Sequence, residues 1–565
     1  MEGKVKGAIF GTIFATVILV IIVVMIIVQK FAPSKERIDI NEFYKVATEE
    51  ALIIFQNGIY EERALIENDI AYLDYDTVVE FMNKRFYWDN NENLLIYTTP
   101  TELIRTEIGS KRYTINKNVN ELNYPITKKK GDTLYIALDF VDMYSNIEYQ
   151  TYESPNRIVI QNEWGEFLYT KTEKNTQLRV KDSIKSEILL DLEKDVELTY
   201  VETDIIHGNN FSKVMTKDGI IGYVKDKHTA KSYYKTLTSN FKEPEYIHTK
   251  KETPINLVWH QVTSQAANNN LLEVIEGTKG VTTISPTWYS IDSNDGTISS
   301  LADETYVERA HSLGIEVWGL VDDFNPDINI VDILSHTSKR EKLINELISS
   351  AIKYNLDGIN IDFEKIPLEG GIHFIQFIRE LSIKCRSNEI VLSIDNYTPA
   401  EYSSYYNLTE QGIVSDYVII MAYDEHYPGM GKSGSVASIG FVESAIEKTL
   451  AMVDKEKIII GIPFYTRLWK ENNTTNDIES EALAMSVAED TVKANEVEPI
   501  WDEETGQHYV EYEKDNITFK MWLEDEASIE MKMKAIQKGE VAGVASWKLG
   551  LEKNEIWNVI NKYLQ

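Results

Sequence analysis

Eight short apolar runs recur between Ile255 and Leu549: INLVWHQV, GVTTISPTWYSI, IEVWGLVDDF, LDGINIDFE, IVLSIDNYT, DYVIIMAYD, KIIIGIPFY and VAGVASWKL. Each has the length of a strand. Near-continuous apolar runs mark strands buried on both faces, which is the habit of parallel sheets. Longer amphipathic stretches lie between several of them, among them KREKLINELISSAIKYN, HFIQFIRELSIKC and SAIEKTLAMV. Eight strands alternating with helices predict an α/β fold, a (β/α)8 TIM barrel over residues 254–565. Such a barrel needs about 250 residues. The surplus falls mainly between the last two strands, at 472–539, where PIWDEETGQHYVEYEKDNITFKMWL reads as strands and turns. A small α+β insertion is expected there.

The fourth run carries the chemistry. It reads Asp357-Gly358-Ile359-Asn360-Ile361-Asp362-Phe363-Glu364. Alternate residues of a strand face opposite sides. Ile359, Ile361 and Phe363 therefore share one face, suited to packing on outer helices. Gly358, Asn360, Asp362 and Glu364 share the other, which points into the barrel. Barrel interiors are normally filled by Val, Ile and Leu, and buried carboxylates are costly unless paired or used. Two carboxylates climbing toward the C-terminal mouth make a functional arrangement, because that mouth is where barrels of this kind keep their chemistry. Partial burial and the neighbouring Asp362 would raise the proton affinity of Glu364. A neutral carboxylic acid can protonate a leaving oxygen, as glycosidic cleavage requires.

DGINIDFE resembles the glycoside hydrolase family 18 motif Asp-x-x-Asp-x-Asp-x-Glu, at positions 357, 360, 362 and 364, with Asn360 in place of an acid. Met421 to His426 (MAYDEH) resembles that family's Met-x-Tyr-Asp strand. Gly461-Ile462-Pro463-Phe464-Tyr465 resembles its Gly-x-Pro-x-Tyr strand, and Ala545-Ser546-Trp547 its final strand. GIPFYTRLW, WDEETGQ and GVASWKLGLE look most like the spore cortex-lytic branch, whose members act on peptidoglycan as N-acetylglucosaminidases. The resemblance implies a substrate-assisted retaining mechanism. Glu364 would protonate the departing oxygen, and the substrate's own 2-acetamido carbonyl would attack the anomeric carbon. Asp362 would orient that acetamido group and Tyr423 would hydrogen-bond its oxygen. Asp424 would line the same subsite and Trp547 would floor the sugar ring. Asn360, Asp357, Tyr465 and Trp288 complete the expected substrate-binding set. Asn360 is expected to hydrogen-bond Asp362 without being able to take its charge. No metal or other cofactor is expected, since His260 and His426 lack partners at metal-ligand spacing.

The rest of the chain reads as delivery. Residues 8–28, AIFGTIFATVILVIIVVMIIV, carry no charge. At about 1.5 Å per residue they reach across a hydrocarbon core of about 30 Å. Large apolar residues run up to the boundary, which favours an uncleaved transmembrane anchor over a signal peptide. A cytoplasmic stub at 1–7 and an extracytoplasmic bulk follow, giving a single-pass cell-membrane protein held in the lipid bilayer through residues 8–28. Residues 29–66 are expected to be a stalk or short helix. Residues 67–162 alternate β-rich runs with turn clusters and two short helical segments, TVVEFMNKRF and LDFVDMYS. This pattern resembles the α+β module at the N-terminus of copper amine oxidases. Residues 163–230 contain FSKVMTKDGIIGYVKD, similar to the ending of a bacterial SH3-like β-barrel, and 231–253 read as a polar linker.

Net charge is −33, from 57 Lys and Arg against 90 Asp and Glu. So acidic a chain is a poor partner for nucleic acid. The single cysteine, Cys385, excludes an intramolecular disulfide. The expected partner is peptidoglycan or another N-acetylglucosamine glycan. The alternatives are a chitinase-type enzyme on chitin oligomers and a non-catalytic glycan-binding wall protein. The acid at position 364 argues against the last, since lectin-like members of the family typically lose it.

Overall fold

A computed structural model describes residues 2–56, 58–201 and 210–564. The chain forms two compact units. One holds residues 1–86, 106–113 and 119–243; the other holds 87–105, 114–118 and 244–565.

The second unit is the barrel. Its parallel strands are β1 (Ile255–His260), β2 (Thr283–Ile291), β3 (Glu316–Asp322), β4 (Gly358–Asp362), β5 (Val391–Tyr397), β6 (Tyr417–Met421), β7 (Ile458–Pro463) and β8 (Gly543–Trp547). They pair in ring order, and β1 closes the ring by pairing with both β8 and β2. All eight lie within the runs expected to form them. The alternation expected along β4 is present: Ile359, Ile361 and Phe363 join the outer core with helix residues such as Leu343, Phe374 and Phe377. Ile255, Leu257, Trp259, Trp318, Leu320, Val391, Tyr417, Ile419, Ile459 and Ala545 form a separate cluster that fills the lumen. Gly358 is required by that filling, because a Cβ there would meet the Trp318 indole at 2.6 Å.

The insertion is a five-stranded antiparallel sheet that starts earlier than expected. Its strands include Tyr465–Asn472, Ile478–Ala484, Gln507–Lys514 and Ile517–Leu523. The helix Glu526–Gly539 is not part of it, since Ile529, Met533 and Ile536 pack into the barrel core. Sequence separates these poorly, because the Gly-x-Pro-x-Tyr strand runs into the first inserted strand after only Phe464.

In the first unit, the apolar helix Glu2–Phe31 leaves every side chain from Ile9 to Phe31 exposed. The expected stalk at 29–66 is corrected. Ser34 N donates to Ile184 O at 2.7 Å and Arg37 pairs with Asp191, so the chain is pinned as soon as the helix ends. Only Ile40–Tyr44 is helical, and Glu50–Phe55 and Gly58–Glu67 are strands of a seven-stranded sheet. Ala51 to Phe55 are all buried. A strand buried on both faces loses the period-two signal and cannot be told from a buried helix by pattern. The two helices expected in the next module are present at Tyr75–Phe81 and Leu138–Asp142. A second seven-stranded sheet covers 165–237. It contains the expected hairpin, Phe211–Thr216 against Ile221–Lys225, with Gly219 at φ +84° in the turn. Tyr233–Leu237, expected to be linker, pairs with Gly165–Lys171 as a further strand.

Candidate active site

A cleft of about 940 Å³ opens at the C-terminal end of the strands. Its walls include Trp259, Asp362, Glu364, Asp395, Tyr397, Tyr423, Asp424 and Trp547. The ends of five strands, β1, β4, β5, β6 and β8, therefore meet at one place, which no short motif could show.

The backbone beyond β4 is fixed by several side chains. Asp323, just past β3, accepts the N–H of Glu364 with one carboxylate oxygen and the N–H of Lys365 with the other, both at 3.0 Å. Tyr397 donates to the carbonyl of Glu364, Tyr406 to that of Phe363 and Tyr405 to that of Ile366. These bonds set the position of the Glu364 backbone. Burial pushes Asp323 up to about 6 even against its two N–H donors. Burial also raises Glu364 above the usual carboxylate range, against the hydrogen bond of the Tyr397 hydroxyl and with the charge of Asp424 adding to it.

Asp362 is almost fully buried, and among the described residues its Oδ1 receives no hydrogen bond. Burial raises its pKa strongly, and the largest charge acting on it is that of Asp395. Asn360, one layer deeper, does not make the bond expected of it. Its carbonyl accepts from Trp259 Nε1 at 3.0 Å and Ser285 Oγ at 2.9 Å, and its amide donates to Asp395 Oδ1 at 2.8 Å.

Three aromatic rings stand over these acids. Trp259 meets Trp547 edge-on with centroids 6.0 Å apart, and meets Tyr423 edge-on at 6.4 Å. Asp424 follows Tyr423 at a positive φ of 55° and is held by the Tyr465 hydroxyl at 2.6 Å and Arg467 at 3.3 Å. Tyr465 thus acts on the cleft through Asp424. Among the described residues, no group of His, Cys, Asp and Glu is arranged to hold a metal ion.

Two expected substrate contacts lie elsewhere. Trp288 is 2% exposed, packs edge-on against Tyr306 and spends its indole N–H on Asn268. It is core, because its side chain alternates outward from β2. Asp357 sits at the opposite end of β4 from the mouth, accepting the Val317 N–H at 2.8 Å and hydrogen-bonding His311. It fixes the strand's entry. Conversely, Asp395 and Tyr397 were not anticipated. The signal was present in Ser393-Ile394-Asp395-Asn396-Tyr397, whose alternation places polar groups on the lumen side as in β4.

The fold and the cleft together define a glycoside hydrolase built on a (β/α)8 barrel. The chain belongs to the glycosyl hydrolases family 18, whose family model matches residues 220–552. It is 27% identical over 266 residues to the uncharacterized glycosylase YvbX of Bacillus subtilis (strain 168), covering 44% of this chain and 75% of that protein. It is 23% identical over 244 residues to the cortical fragment-lytic enzyme of Bacillus anthracis, covering 42% of this chain and 56% of that protein. The crystal structure of the Bacillus megaterium QM B1551 spore cortex-lytic enzyme SleL matches with a TM-score of 0.50 at 18% identity, over 59% of this chain and 78% of that one. At that identity the likeness is one of fold.

Proposed function

We propose that this protein is a membrane-anchored, extracytoplasmic glycosidase that cleaves β-1,4 bonds next to N-acetylglucosamine in peptidoglycan or spore cortex. The observation that carries this reading is the buried Asp362 oxygen that lacks a donor, in a cleft it shares with Glu364. A buried acceptor without a donor costs about 1–3 kcal/mol. An acetamido N–H of the substrate supplies the missing donor. Held there, its carbonyl is directed at the anomeric carbon and acts as the nucleophile. Glu364 gives its proton to the leaving oxygen. Tyr423 hydrogen-bonds the acetamido oxygen, and Trp547 packs on the apolar ring face. Water then opens the oxazolinium with Glu364 as base, and configuration is retained. Family 18 is outside the two-carboxylate scheme of most glycosidases. The relative described as a cortical fragment-lytic enzyme supports spore cortex as the substrate class. The exposed apolar helix Ile9–Phe31 supports the anchor.

The test uses the full chain in detergent with its Glu364→Gln variant, on purified peptidoglycan, cortex fragments and chitin oligomers, with products read by mass spectrometry. N-acetylglucosamine-terminated products from wall glycan, reduced in the variant by about 10²–10⁴-fold, are expected. Cleavage of chitin oligomers alone moves the substrate to chitin. Glycan binding without cleavage by the unaltered chain sinks the enzyme reading.

A further inference from the structure

Position 360 holds an amide where the family motif has an acid, so Asp362 has no carboxyl beneath it to share a proton with. A different carboxyl is in reach. β4 and β5 pair in parallel with Asn360 opposite Ser393 and Ile361 opposite Ile394. Carried one residue further, this register sets Asp362 beside Asp395. Both face the lumen, both line the cleft and both are buried. Adjacent strands lie about 4.8 Å apart. Two buried carboxyls on neighbouring strand positions disfavour one another's ionised form.

We propose that Asp395 is the partner acid of Asp362 in this chain, standing in for the carboxyl that position 360 lacks, and that the two hold one proton between them. This rests on the glycosidase reading above and makes Asp395 a positioning residue that acts through Asp362. Asn360 fixes which oxygen carries the proton. Its carbonyl is locked by Trp259 and Ser285, so only its N–H faces Asp395, and Asp395 Oδ1 must accept. The proton therefore sits on Oδ2, free to pass to Asp362. When the acetamido N–H docks, Asp362 is the anion that receives it and Asp395 keeps the proton. When the substrate leaves, the proton is shared again, and none is gained or lost in the cycle. The other groups facing the pair are Glu364, Asp322, Asp323, Tyr397 and Tyr423, with Trp259 from β1. Burial first, with Glu364 adding, pushes Asp395 up to about 8, which agrees with a proton held at neutral pH.

Asparagine mimics the protonated form, whereas leucine cannot donate to Asp362. Asp395→Leu is expected to lower kcat/KM at neutral pH at least about tenfold more than Asp395→Asn does. The alkaline limb of log kcat/KM is expected to flatten from a slope of about −2 to about −1 in Asp395→Asn, one ionisation having been removed. Infrared difference spectra at pH 7 read the proton without turnover, and a protonated-carboxyl band is expected to disappear in Asp395→Asn. Equal activity of the Asn and Leu variants, or a band that Asp395→Asn leaves in place, overturns the proposal. If Asp395→Leu does not fold, slope and band still decide. If the unaltered chain turns over no glycan, the glycosidase reading fails, while the band still shows whether Asp395 holds a proton.

Discussion

Trp288 and Trp547 are the same residue type at the ends of two barrel strands, yet their surroundings assign them opposite work. Trp288 has its N–H bound to Asn268 and its ring sealed in the outer core. Trp547 is half-buried on the cleft wall. Trp288→Phe is expected to leave kcat/KM within about twofold and to cost about 1–3 kcal/mol, the penalty of orphaning the Asn268 carbonyl. Trp547→Ala is expected to lower kcat/KM by about tenfold or more through loss of ring packing. Steady-state kinetics with urea unfolding of both variants separates the two roles. Asp323 gives a pH signature at the same scale. Its folded value near 6 lies above the ordinary carboxylate value of about 3.9, so the folded chain binds more protons between those limits. Its contribution to stability therefore falls as pH rises through that window and is level above it. The melting temperature of Asp323→Asn relative to the unaltered chain is expected to improve from pH 4 to 6 and then stop changing.

At the scale of elements, long-range polar contacts tie the barrel's outer layer together. The helix Thr337–Tyr354 begins after His336, which supplies no capping side chain. Its first N–H groups are met by Asp89 and Glu92, from the ribbon formed by Tyr87–Asp89 and Leu94–Thr98. Acids at a helix N-terminus satisfy orphan donors and complement the dipole. This contact ties the ribbon to the barrel's helix layer. A second tie is buried outright. Lys532 on the helix Glu526–Gly539 meets both oxygens of Glu524 at 2.9 and 3.0 Å, and Gln507 of the inserted sheet donates to the same carboxylate. Lys532→Met leaves Glu524 buried and uncompensated and is expected to cost about 3–5 kcal/mol by chemical denaturation, whereas Lys532→Met with Glu524→Leu recovers most of it. A double variant no better than the single would show that packing, not charge, holds the helix. None of these partners could be read from sequence, because the pairing residues lie 8 to 248 positions apart.

For the whole molecule, the helix Ile9–Phe31 has 23 residues and no buried face. At about 1.5 Å per residue it spans about 35 Å, matching a hydrocarbon core. On the proposed anchoring, the full chain sediments with membranes on ultracentrifugation and removing residues 1–33 moves it to the soluble fraction. Activity on soluble oligosaccharides should stay within about twofold, since none of the residues removed lines the cleft. Persistence of the truncated chain in the membrane fraction would place the anchor elsewhere.

The sequence by itself determined the barrel, the face of β4 that carries acids, and the end at which they emerge. Those features depend on strand period and on the cost of burying charge, and both are local. It also determined the apolar helix and the Gly219 hairpin, for the same reason. Tertiary structure decided the rest. It placed Asp395 beside Asp362 through the register of neighbouring strands and turned Asn360 toward Asp395. It also withdrew Trp288 and Asp357 from the cleft and gave residues 50–67 to a sheet. Each of these depends on which strand lies next to which, and a one-dimensional pattern of apolar and polar residues does not contain that information.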